Sequence, residues 1–66
     1  MSTSETAQFI RDRALSLHYE GTHFRATADV ALAWFRQASA WAKWHGHGQL
    51  VAHLSVQTRE IREALQ

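Results

Sequence analysis

Residues 22–45 read THFRATADVALAWFRQASAWAKWH, and they decide the fold. The stretch contains neither proline nor glycine. Its apolar residues recur every seven positions: Ala28, Phe35 and Ala42 on one row, Ala31, Ala38 and His45 on the next, Trp34 and Trp41 on a third. Seven residues are close to two helical turns, so each row is a line of side chains along one side of a helix. Three adjacent rows give an apolar face about half the circumference wide, more than one neighbouring helix covers. A long central helix is therefore expected over residues 23–45, roughly 33 Å at ~1.5 Å per residue. Thr22 or Thr27 can cap its start. Phe24 projects onto the face of Ala28, Ala31 and Phe35, and Arg25 stands one turn before Asp29, at ion-pair spacing.

Working outward, the three glycines stand at Gly21, Gly46 and Gly48. Glycine accepts positive φ without a Cβ clash and so often follows the last turn of a helix. Taken as helix ends, these glycines divide the chain into three helical segments. The first is expected over residues 5–19, with Ser2 and Glu5 at capping-box spacing and Ser4 as an alternative cap. Ala7, Ile10, Ala14 and Leu17 form its apolar face, flanked by Leu15. Phe9 and Tyr19 fall off that face; Phe9 is either an exposed ring near a frayed end or a contact to a second chain. The third helix is expected over residues 49–65. Leu50, Leu54, Gln57, Ile61 and Ala64/Leu65 form its stripe, Glu60 borders it, and Arg59 and Glu63 face water one turn apart. Gln57, polar within the stripe, has the character of a register-setting residue.

Sixty-six residues make one domain, 1–66. Short connections imply antiparallel neighbours, so the expected fold is all-α, a three-helix up-down-up module with a long central helix. A chain this small buries only about 60% of the surface its unfolded chain exposes, so its stability is marginal and is commonly supported by disulfides, a metal or oligomerisation. Cysteine is absent, which removes disulfides, thiolate zinc sites and thiol chemistry. Trp34 and Trp41 stack two turns apart, and Trp44 projects to another side, near the row of Val30 and Gln37. Each indole carries about 200 Å² of apolar surface, worth up to about 5 kcal/mol if fully buried. The two flanking helices offer one narrow stripe each. The expectation is that a second polypeptide completes the bundle, through Val30, Ala31, Trp34, Phe35, Ala38, Trp41 and Trp44, with Ala31 and Ala38 forming a notch for close helix approach.

The other function classes have thinner support. The N-terminus lacks a basic segment leading into an apolar core, as a secretory signal would have. The longest apolar run, Val30 to Phe35, is far shorter than the roughly 20 residues that span a bilayer. The chain reads as cytoplasmic, with no membrane partner and no cofactor. No Gly-rich phosphate loop or paired carboxylates suggest an enzyme, and Ser55 and His53 diverge on a helix. His45, His47 and His53 cluster around the second loop and could donate nitrogen to zinc, nickel or copper, although their spacing matches no strong signature. Seven basic against six acidic residues give a net charge of +1, with the signs interspersed. A DNA-binding dimer is the alternative, with helices 2 and 3 as a helix-turn-helix and Arg11, Arg13, Arg25, Arg36, Arg59 and Arg62 on the backbone. Only Gln49 and His53 near the start of helix 3 could read a base edge. The leading expectation is a small non-enzymatic interaction module that binds itself or a larger partner, as an adaptor, inhibitor or accessory subunit.

Overall fold

The computed structural model describes residues 2–66. Three helices follow in order: α1 Thr3–His23, α2 Arg25–Trp44 and α3 Gly48–Leu65. Each packs on both others. The molecule extends 35 × 17 × 14 Å. Helices of 18 to 21 residues are about 27–32 Å long, so they fit that cross-section only by lying side by side. This is the up-down-up bundle, without the steeply crossed pair of a helix-turn-helix. The central helix is not the longest: α1 has 21 residues and α2 has 20.

Helix α1 begins as its sequence indicates. Ser2 is the N-cap; its Oγ accepts from the Glu5 backbone N–H at 3.2 Å and donates to the Glu5 carboxylate at 3.2 Å. Its end differs from the expectation. Gly21 does not terminate the helix but lies buried within it, and α1 runs on to His23 instead of stopping near Tyr19. A Cβ on residue 21 would meet Ile61 Cδ1 at 3.0 Å and Ala31 Cβ at 3.2 Å. Gly21 is thus a point where all three helices meet closely, and the need there is for space, not for positive φ.

The break falls on one residue, Phe24, in extended conformation (φ −127°, ψ 108°). Neither Thr22 nor Thr27 caps α2. The Thr22 hydroxyl donates back to the His18 carbonyl at 2.8 Å. The Thr27 hydroxyl donates to the carbonyls of Glu20 at 2.8 Å and Phe24 at 2.9 Å, fastening the corner between α1 and α2. Phe24, outside the helix, does not join the face of Ala28 and Phe35 and stays half exposed, edge-on to Tyr19. Arg25 reaches toward the Leu65 carbonyl at 3.5 Å instead of pairing with Asp29.

The second connection is a Schellman turn. Gly46 has φ +73°, its N–H donates to the Lys43 carbonyl at 3.2 Å, and the His47 N–H donates to the Ala42 carbonyl at 2.9 Å. Here the glycine does end a helix. The core is one cluster: Ile10 and Ala14 from α1, Ala28, Ala31, Phe35, Ala38 and Ala42 from α2, Leu50, Leu54 and Ile61 from α3. Gln57 is buried among them, as its place in the stripe indicates. Ala7, Leu17, Val51 and Leu65 pack at the edges. Two ion pairs are present among the described residues: His18–Glu60 at 3.0 Å between α1 and α3, and Arg59–Glu63 at 3.7 Å. Among the described residues no helix is long and apolar enough to cross a membrane.

Candidate functional site

The central helix sorts its apolar residues into three groups. Ala31, Phe35 and Ala38 lie in the chain's own core. They are removed from the expected interface, and the notch of Ala31 and Ala38 is buried within the chain, with Gly21 of α1 against Ala31. Trp34 and Trp41 form the second group. Both are partly buried and pack against the core, Trp34 edge-on to Phe35 with centroids 5.2 Å apart. The expectation that the flanking helices leave these rings uncovered therefore fails in large part. Their row borders that of Thr27, whose hydroxyl meets the Glu20 carbonyl, so this side of α2 faces α1 and shares its cover.

The third group is uncovered. Trp44 is 83% exposed and Val30 is 68% exposed. With Gln37 between them they share one row, seven residues apart, on the outer side of the helix away from the core. Ala33, partly buried, and Ala40, exposed, flank Gln37 on one side of this row, and Trp34 and Trp41 flank it on the other. Phe9 of α1 is 60% exposed. An apolar strip therefore runs along the outside of α2.

At its C-terminal end four rings follow one another. Trp44 and His45 have centroids 4.9 Å apart, His45 and Trp41 4.5 Å, and Trp41 and His47 5.4 Å with nearly parallel planes. The Trp41–His47 stack is the side-chain contact that commonly accompanies a Schellman turn. It gives both histidines a packing role. His53 lies on the Glu60 side of α3, which meets α1 through His18. Among the described residues no three His, Cys, Asp or Glu side chains are placed to hold a metal ion. The trio His45, His47 and His53 is thus not assembled as a metal site.

A second feature lies between α2 and α3. Asp29, Leu32, Arg36, Ser39 and Lys43 line one wall of a groove of about 680 Å³, and Ser55, Thr58 and Arg62 line the other. Three cations against one carboxylate make it basic. Of the six arginines singled out from sequence, only Arg36 and Arg62 come together here. Arg59 pairs with Glu63, Arg25 lies by the C-terminus, and Arg11 and Arg13 project from different sides of α1. Lys43 was not singled out from the sequence. Its spacing to Arg36, one heptad, is the signal that places both on one side of α2. Comparison with protein families, curated proteins and solved structures finds no match to this chain.

Proposed function

We propose that this chain is a small non-enzymatic protein–protein interaction module that associates with a second copy of itself through the outer face of α2. The observation that carries this reading is the exposure of Trp44 and Val30 on one row, opposite the core. A large indole held in water on a rigid helix, in line with other apolar residues, is the pattern of a contact surface. The remaining apolar rows of α2 are used inside the chain, so this outer strip is the part of α2 left for association. Self-association of this kind suits an adaptor, inhibitor or accessory subunit. The test is sedimentation equilibrium over a range of protein concentration, with Trp44→Ser as the control. Concentration-dependent dimerisation that Trp44→Ser abolishes supports the proposal; a monomer throughout refutes it.

The basic groove favours a second reading, a regulator that binds a nucleic-acid backbone. That reading draws on Arg36, Lys43 and Arg62 and not on a helix-turn-helix. A gel-shift series tests it: binding must weaken steeply with salt and fall further in an Arg36→Gln/Lys43→Gln variant.

A further inference from the structure

We infer that the groove between α2 and α3 takes a single strand of nucleic acid and not a duplex; the inference rests on the nucleic-acid reading of that groove given above. The cations of the groove are uncommitted. Among the described residues the ion pairs are His18–Glu60 and Arg59–Glu63, and neither uses Arg36, Lys43 or Arg62. All three residues are exposed. They also form a line. Because α3 runs back along α2 from the turn at Gly46, the distance of a residue from that turn sets its level along the bundle. Lys43 lies three residues from Gly46, Arg36 ten and Arg62 sixteen. At ~1.5 Å per residue the three cations stand about 10 Å apart, over roughly 20 Å of groove. One phosphate ion cannot meet both ends of that line, whereas a chain of phosphates meets the cations in turn. Arginine supplies two of the three charges and holds phosphate oxygens through paired N–H donors. The Thr58 hydroxyl donates to the Leu54 carbonyl at 2.8 Å, so Ser39 and Ser55 are the hydroxyls that add to the cations.

The width of the groove selects a single strand. Packed helices lie about 8–10 Å apart, axis to axis. The major groove of a B-form duplex is by itself about 12 Å wide, so the whole duplex is too broad to settle between α2 and α3. The end of the groove agrees. Lys43 is shared with a second hollow, of about 320 Å³ and mainly apolar, whose walls include Ala42, His47 and Val51. His47 is itself stacked on Trp41, with centroids 5.4 Å apart. A seat for a flat apolar ring thus adjoins the line of cations. The bases of a single strand are free to turn into such a seat, while those of a duplex are stacked inside it. A positive groove that tracks the backbone, with an aromatic place for a base, is the general form of a single-strand site. Each nucleotide carries both an anion and a ring; an acidic peptide carries the ring only where its sequence provides one.

The test is fluorescence anisotropy with a labelled oligothymidylate of about 12 nucleotides, within the span of known single-strand sites, and separately with a labelled duplex of the same length. Inorganic polyphosphate and polyglutamate serve as competitors. The oligothymidylate should bind, with log K falling against log salt at a slope of about −2, from three phosphates at roughly −0.7 each. Arg36→Gln/Lys43→Gln changes two exposed positions and so keeps the fold. It should lower the affinity about tenfold or more and bring the slope to about −0.7. A duplex bound as tightly as the single strand, and released by the same double variant, overturns the inference while the nucleic-acid reading stands. Polyphosphate or polyglutamate that competes as well as unlabelled oligothymidylate overturns both, since charge alone is then recognised. Oligothymidylate binding that the double variant leaves unchanged belongs to another face and overturns the inference. Binding of neither nucleic acid at low salt removes the nucleic-acid reading and the inference with it.

Discussion

Ile61 occupies the space that a side chain on residue 21 would need. Its Cδ1 and Cγ1 lie 3.0 and 3.1 Å from the Cβ position of Gly21, with Ala31 Cβ at 3.2 Å. The Ile61 side chain is fully buried, and the Ala31 methyl is fixed to its backbone, so neither moves away freely. Overpacking of this kind costs about 1–3 kcal/mol, while glycine to alanine within a helix gains back about 1 kcal/mol. Gly21→Ala is expected to lose about 1 kcal/mol net, a fall of roughly 4–8 °C in Tm. The signature is the coupling: Ile61→Val should cost less in the Gly21→Ala background than in the wild type, measured by a double-mutant cycle.

Gly46 is needed for a different reason. Nothing stands within 4 Å of its Cβ position, but its φ of +73° disfavours any L side chain. Gly46→Ala is expected to cost about 1–2 kcal/mol by urea unfolding. Gly48→Ala, with open space and no positive φ, should be neutral or stabilising.

Gln57 is 5% exposed, and no donor among the described residues reaches its side-chain Oε1. A buried acceptor without a partner costs about 1–3 kcal/mol. Gln57→Met keeps the length and removes the polar atoms, so it should raise stability by about 1 kcal/mol or more. A lowered Tm in this variant would show that the amide is better satisfied than the packing indicates.

The two aromatic groups of α2 should separate cleanly. Phe35 is fully buried at the centre of the core. Phe35→Ala is expected to cost about 3–5 kcal/mol, enough to unfold a marginally stable small domain. Trp44 touches mainly His45 and is exposed. At concentrations where the protein is monomeric, Trp44→Ser should leave the circular dichroism melt within about 0.5 kcal/mol of wild type.

The rows of buried residues were legible in the sequence because periodicity is local information. Ala28, Phe35 and Ala42, Leu50, Leu54 and Ile61, Ile10 and Ala14 all fall where heptad and 3-4 spacing put them. Gly46 was legible as a helix end for the same reason. Gly21 was not, because a glycine that stops a helix and one that admits a neighbouring helix look alike in sequence. The difference is set by Ile61, forty residues further on. The cover on Trp34 and Trp41 was also hidden, since it depends on which side of α2 the first helix settles. That single angle moves the free apolar surface from the Trp34–Trp41 row outward to Val30, Gln37 and Trp44. The basic groove needed the same information from α3, because Arg62 joins Arg36 and Lys43 only once α3 lies alongside.

The most direct measurement is the mass of the protein in solution, by light scattering on a size-exclusion column, for the wild type and Trp44→Ser loaded at the same series of concentrations. Pairing through the outer face of α2 gives a wild-type mass rising with concentration from 7.5 kDa toward twice that value, and a Trp44→Ser mass that stays at the protomer. A wild type that remains at the protomer mass throughout, or a Trp44→Ser variant that dimerises as the wild type does, contradicts it.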